Sequence, residues 1–284
     1  MRGGVPDGTC TSPLLAKGEC LIELTLSHYS LATPGDKQFV AELVGTFMLV
    51  FFGCGAGIVW KSGNINLVGA ALTWAAVVTA IVYSIAHISG SHINPSASIA
   101  LAVVGLFPWK QVPVYVLAQT LGAILASLAL KWLFGADKAV YMMTLPVGPN
   151  PDSDLNIIAW EIIVTFMLLL VVCTTAVDPR AAKGLGGVAI GAVVFVDVIL
   201  AEEISGCSLN PARSFGPALV NNDFSKLWIY IISPTIGAVA ATSLYHFLQI
   251  SIEKETKEAA AAKDVFSSAE LSQHGHENPI YSSC

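Results

Sequence analysis

The chain has 284 residues, of which 54% are hydrophobic and only 12% charged, whereas an ordinary soluble domain carries about 25% charged residues. Half the expected charge is missing, which excludes an ordinary soluble fold. The net charge of −6 lies in loops and tails; it identifies no partner and gives no reason to expect nucleic acid.

In chain order, residues 1–38 are of mixed polarity and read as a tail. No compact basic region precedes a short apolar one, so no cleaved secretory signal is expected. A bilayer span takes about 20 mostly apolar residues. Six stretches meet or approach this, at 39–60, 67–87, 112–134, 157–177, 185–201 and 227–250. The fifth is short and contains Asp197. Between the second and third, and again between the fifth and sixth, Asn-Pro opens a shorter apolar stretch: 95–104 after Asn94 and 211–220 after Asn210. Residues 253–284 form a polar tail with Ser267, Ser268 and Ser272. Counting Lys and Arg in the short loops places both termini in the cytoplasm. The six Cys, at 10, 20, 54, 173, 207 and 284, have neither metal-ligand spacing nor a paired framework. No cofactor, metal site or catalytic constellation is legible, so the chain does not read as an enzyme.

An internal repeat organises these elements. Glu42-Leu-Val-Gly-Thr46-Phe47-Met48-Leu49 recurs as Glu161-Ile-Ile-Val-Thr165-Phe166-Met167-Leu168, Asn94-Pro95-Ser96 as Asn210-Pro211-Ala212, and Gly122-Ala123 as Gly237-Ala238. The offsets are 119, 116 and 115 residues. Two homologous halves of three spans each, about 39–135 and 157–252, must lie in opposite orientations. Such inverted repeats place the functional site near the bilayer midplane. The expected fold is an all-α membrane protein with six transmembrane helices plus two re-entrant half-helices, in a domain covering 39–252.

Asn is a strong N-cap and Pro suits the first helical position, so each Asn-Pro starts a helix. About ten residues at 1.5 Å each give half a bilayer. The backbone before each start, with Gly90, Ser91 and His92 in one loop and Gly206 and Ser208 in the other, survives at membrane depth only if it packs in protein or lines water. Two half-helices meeting tip to tip bring their partial positive charges together, repelling cations and protons. Asn94 and Asn210 are left to donate to a passing oxygen, and the loop carbonyls to accept.

At these residues the sequence resembles the aquaporin (major intrinsic protein) family over about three-quarters of its length. His-Ile-Ser-Gly-Ser-His-Ile-Asn-Pro, ending at Pro95, and Asn-Pro-Ala-Arg-Ser-Phe-Gly-Pro-Ala, starting at Asn210, are specific family signatures. Phe107-Pro-Trp-Lys-Gln-Val-Pro113 and Leu145-Pro-Val-Gly148 are similar to plant nodulin-26-like members, which pass water, glycerol and, in some branches, uncharged metalloid acids. The resemblance implies a homotetramer in lipid, at the plasma membrane, with one pore per subunit. It also implies an outer constriction formed by Trp74, Val198, Cys207 and Arg213. In that set Trp74 and Val198 are apolar, Cys207 is small, and Arg213 is the charged member, a functional candidate by default amid apolar segments. Where Val198 stands, water-selective relatives usually have His, so the ring is expected to be wider and greasier and to suit glycerol.

Three features depart from the pattern or invite a second reading. Ser96 replaces the usual Ala and is expected to preserve conduction with a changed solute preference. Glu202-Glu203 replaces Gly-Pro and admits three placements: a vestibule attracting cations, an ion pair obstructing Arg213, or a solvated loop edge. Glu42 and Glu161 read either as a proton relay or, as the resemblance favours, as acceptors for backbone N–H groups of the re-entrant loops. His92 reads as pore-lining and His87 as a packing residue. The leading function is a passive channel for small neutral solutes; the alternatives are a non-conducting partner of other channel subunits and, less favoured, an ion-coupled transporter. Thiolates bind soft metals, so mercurials should inhibit flux; undiminished inhibition of a Cys207→Ser variant would remove Cys207 from the pore.

Overall fold

The computed structural model describes residues 35–146, 153–178, 180–181 and 184–249. Residues 1–34, Val147 and Gly148 of the second subfamily stretch, Lys183 and the serines at 267, 268 and 272 lie outside the described residues. Up to Ser243 the described residues belong to one compact unit; of a second, Leu244–Cys284, only the residues through 249 are described.

Among the described residues eight helices can be followed in chain order. They are α1 (Gly35–Lys61), α2 (Leu67–Ser89), α3 (Pro95–Val103), α4 (Val112–Phe134), α5 (Asp154–Val172), α6 (Gly186–Ala201), α7 (Pro211–Asn221) and α8 (Leu227–Gln249). A π-helical turn, Cys173–Val177, prolongs α5, and a 3-10 turn, Ala139–Met142, follows α4. Among the described residues five helices are long and apolar enough to cross a membrane; α6 has 16 residues, about 24 Å at 1.5 Å per residue against a hydrocarbon core of about 30 Å. α1 begins at Gly35, four residues before the expected span, with Asp36 in its first turn, where the helix dipole favours an acid. α3 and α7, of 9 and 11 residues, are the short helices expected after the two Asn-Pro pairs.

The long helices are apolar on every side, as membrane helices are. Their outer faces expose residues such as Leu72, Leu117 and Ile163. Between helices, contact is made by small residues, since apolar side chains gain little by leaving lipid. Gly122 of α4 lies against the Leu43 carbonyl of α1, and Gly237 of α8 lies against the Ile162 carbonyl of α5. The two glycines are equivalent in the repeat, and so are the carbonyls they touch.

A Cβ added at either glycine would sit well inside van der Waals contact distance of that backbone oxygen, and backbone cannot rotate away. Gly122→Val and Gly237→Val should each destabilise the fold by about 1–3 kcal/mol, read as a lower unfolding midpoint in detergent. Gly55→Ala, whose Cβ would meet only Leu130 at 3.4 Å, should leave the midpoint in place.

Candidate functional site

The two loops that precede α3 and α7 run through the interior in a backbone conformation that L-residues avoid. Gly90, Ser91 and Ile93 have φ of 84°, 52° and 44°, and Gly206, Cys207 and Leu209 have 84°, 43° and 58°. For a β-branched residue such as Ile93 this is a strained state, which persists only when the surroundings over-determine it. Here one carboxylate holds each loop. Glu42 Oε1 accepts from Ser89 Oγ at 2.6 Å and the His92 N–H at 2.9 Å, while Oε2 accepts from the Ile93 N–H at 2.6 Å and Gln119 Nε2 at 2.8 Å. Glu161 Oε1 accepts from Ser205 Oγ at 2.6 Å and the Ser208 N–H at 2.9 Å, and Oε2 from the Leu209 N–H at 3.1 Å. Tyr115 and Tyr230 then donate to the carbonyls of Ser89 and Ser205 at 2.8 and 2.7 Å. Both carboxylates are fully buried and serve as acceptors for loop donors, which leaves the proton-relay reading without a structural basis.

The half-helix starts are built on their Asn side chains. Asn94 Oδ1 accepts the Ser96 N–H at 2.9 Å, and Asn210 Oδ1 accepts the N–H groups of Ala212 at 2.9 Å and Arg213 at 3.3 Å. Each amide also donates across to the other half: Asn94 Nδ2 to the Leu209 carbonyl at 2.8 Å, and Asn210 Nδ2 to the Ile93 carbonyl at 2.7 Å. The starts are thus pinned tip to tip. An amide NH₂ has two hydrogens, so each Asn retains one beside the cavity that both residues line. Pro95, Ser96, Pro211, Ala212 and Gly206 are not on that wall. Ser96 turns its hydroxyl to Thr235 Oγ1 of α8 at 3.0 Å.

The cavity encloses about 290 Å³, and Trp74, Val198, Cys207 and Arg213 all border it, together with Gly90, Ser91, His92 and Ser208. The Arg213 Cζ lies 5.3 Å from the Trp74 ring centre. Arg213 Nη1 donates to the Met142 carbonyl at 3.0 Å and to Thr144 Oγ1 at 2.6 Å, so neutral acceptors hold the guanidinium against the wall. Trp74 packs so close to Gly53 of α1 that any side chain there would collide with its ring. Neither Glu202 nor Glu203 forms an ion pair; among the described residues the pairs are Arg180–Asp178 and Lys226–Asp154. His92 packs against Phe107 and Tyr115 with ring centres 4.6 and 5.0 Å away, and its Nδ1 meets Ser98 Oγ at 3.0 Å. His87 is exposed and borders the cavity, contrary to the packing role expected for it.

Sequence reading missed Gln119, Thr144 and Gly53. Gln119 had a usable signal, being a fully buried amide within an apolar span. Thr144 had none, because it lies in an irregular stretch between spans. Nor does the sequence distinguish Gly53 from its neighbours Gly55 and Gly57. Among the described residues no group of three His, Cys, Asp or Glu side chains is placed to hold a metal ion.

The Major intrinsic protein family model matches residues 30–245. The chain is 42% identical over 223 residues to aquaporin NIP1-1 of Zea mays, covering 78% of each protein. It is 40% identical over 252 residues to aquaporin NIP1-1 of Arabidopsis thaliana, covering 84% of this chain and 83% of that one. Among solved structures, the aquaglyceroporin from Plasmodium falciparum superposes with a TM-score of 0.69 at 26% identity, covering 75% of this chain and 96% of that one.

The loop clamps can be tested by stability alone. Glu42→Gln and Glu161→Gln each replace an acceptor oxygen by a donor amide facing loop N–H groups, and an orphaned buried donor costs about 1–3 kcal/mol. Both variants should unfold at clearly lower temperature in detergent; a midpoint equal to wild type would deny the carboxylates this role.

Proposed function

The chain belongs to the major intrinsic protein family, and we propose that it is a passive pore for glycerol-like polyols, with water and uncharged metalloid acids as further solutes. As a member of that family it is a small-solute channel of the membrane and not an enzyme. The observation that carries the choice of solute is the ring of Trp74, Val198, Cys207 and Arg213 around one lumen. Its apolar side suits a carbon backbone, and the guanidinium offers hydrogen bonds to hydroxyls. A neighbouring structure that is named an aquaglyceroporin supports the same reading.

Exclusion of ions and protons rests on three elements of the pore. The N-termini of α3 and α7 meet tip to tip, each carrying part of a positive charge. Their Asn amides offer hydrogen bonds but no negative charge. Arg213, buried at 4% exposure, adds a full positive charge at the constriction. A neutral hydroxylic solute exchanges water for these donors and the loop carbonyls, whereas a cation meets a barrier. The assembly we propose is a homotetramer in the plasma membrane. Its channel domain is 39–252, and the tails 1–38 and 253–284 lie in the cytoplasm. The reading as a non-conducting partner drew on Glu202-Glu203, and neither residue forms an ion pair with Arg213.

Proteoliposome swelling measures both solutes, using a glycerol gradient and then an impermeant osmolyte. Wild-type protein should admit glycerol well above empty vesicles. The double variant Trp74→His with Val198→His should lose glycerol flux by about tenfold or more, equivalent to about 1.4 kcal/mol of barrier, while retaining water flux. Folded protein that passes neither solute would overturn the channel reading.

A further inference from the structure

Glu202 lies one residue beyond the end of α6, with its backbone N–H donating to the Val198 carbonyl at 3.1 Å. It therefore stands one helical turn outward of a constriction residue. Its Oε2 is buried without a hydrogen-bond partner. The charged and titratable groups near it are Cys54 and Lys61 of α1, Glu161 of α5, Glu203 beside it in the chain, Cys207 of the second loop, Arg213 of α7 and Tyr230 of α8. Of these, Arg213 has an unused donor: Nη1 is held by Met142 and Thr144, while Nε is buried with no partner. An acceptor and a donor thus stand unpaired within electrostatic reach of one another, and no ion pair joins them.

That arrangement suits a neutral Glu202. A buried carboxylate oxygen with no donor carries a heavy desolvation cost, which a protonated carboxyl largely escapes. Burial is the main force on Glu202 and raises its pKa to about 7; Arg213 and Lys61 work against the rise, while Glu161 and Glu203 add to it. Below neutrality the group is uncharged, and above neutrality it is a carboxylate in search of a donor. Arg213 stays charged throughout, and an ionised Glu202 left buried and unpaired costs far more than its neutral acid does, so the charge state of Glu202 decides which arrangement holds.

We propose that Glu202 is an acid-opened latch on the constriction: protonated, it leaves Arg213 on Met142 and Thr144, and ionised, it takes the free Nε–H of Arg213 into a pair that narrows the lumen. Val198, one turn before Glu202 on α6, and Arg213 of α7 both border the lumen, so a pair between Glu202 and Arg213 joins two elements of its wall. The bond formed is a charge-assisted one. The proton that Glu202 gives up goes to external water. The latch rests on the channel reading above, since it regulates that same pore.

The test is glycerol-driven swelling of proteoliposomes carrying the full chain, with equal pH on both faces, from about pH 5.5 to about pH 8.5. Over that range a group titrating near neutrality goes from almost wholly protonated to almost wholly ionised, so wild-type flux should fall by about tenfold or more. Glu202→Gln should flatten the profile, and Glu203→Gln, at an exposed neighbour, should keep the wild-type fall. A flat wild-type profile overturns the latch while leaving the channel intact, as does a fall that survives in Glu202→Gln. If the Gln variant does not fold, the wild-type and Glu203→Gln profiles together with that of Glu202→Ala decide. Absence of flux at every pH from folded protein is a separate result, which sinks the channel reading and the latch with it.

Discussion

Everything at the centre of this protein depends on backbone N–H groups that have no water to bond. Two loops pass through the interior at membrane depth, and in hydrocarbon an unsatisfied N–H costs several kcal/mol. One buried carboxylate for each loop solves the problem, gathering two backbone donors and a Ser hydroxyl apiece. Once the N–H groups turn toward Glu42 and Glu161, the carbonyls on the other side of each peptide are free to face elsewhere. The cross-links from Asn94 and Asn210 use the next carbonyls along, those of Leu209 and Ile93.

The two halves solve this equation with unequal means. Glu42 has a fourth donor in Gln119, and the residue 115 positions further on is Pro234, which has no side-chain N–H to offer. In place of an amide, the second half brings Asp197, 3% exposed and with Oδ2 unpartnered, within electrostatic reach of Glu161. The first loop is therefore saturated with donors, and the second is surrounded by acids. Acidic surroundings and the pore guanidinium of Arg213 belong to the same half, so the electrostatic tuning of the pore is concentrated on one side of the pseudo-two-fold.

Much of this was legible because the chain repeats itself. A glutamate four residues ahead of Thr-Phe-Met-Leu, met twice, marks the clamps, and Asn-Pro met twice marks both helix starts, since capping chemistry is local. The span 112–134 needed no revision, because its ends are set by Pro113 and Gly135. Illegible parts depended on distance across the fold. Thr144 holds Arg213 from 69 residues away, and Ser96 spends its hydroxyl on Thr235, 139 residues away. Neither pairing leaves a periodic trace. His87 was misjudged for a related reason: periodicity shows which face of a helix is apolar, and the lumen and the packed interior share that face.

The reciprocal Asn contacts carry a consequence for the order of assembly. Domains are made N-terminus first, so Ile93 and Asn94 are in place long before Leu209 and Asn210 exist. Until then the Ile93 carbonyl lacks its donor and the Asn94 amide lacks its acceptor. Three inserted spans are consequently an incomplete object, with an open polar seam at membrane depth that must stay wet or be sheltered. Seating of α7 closes that seam from both sides at once, making the last short helix to be synthesised the keystone of the first half as well as the second.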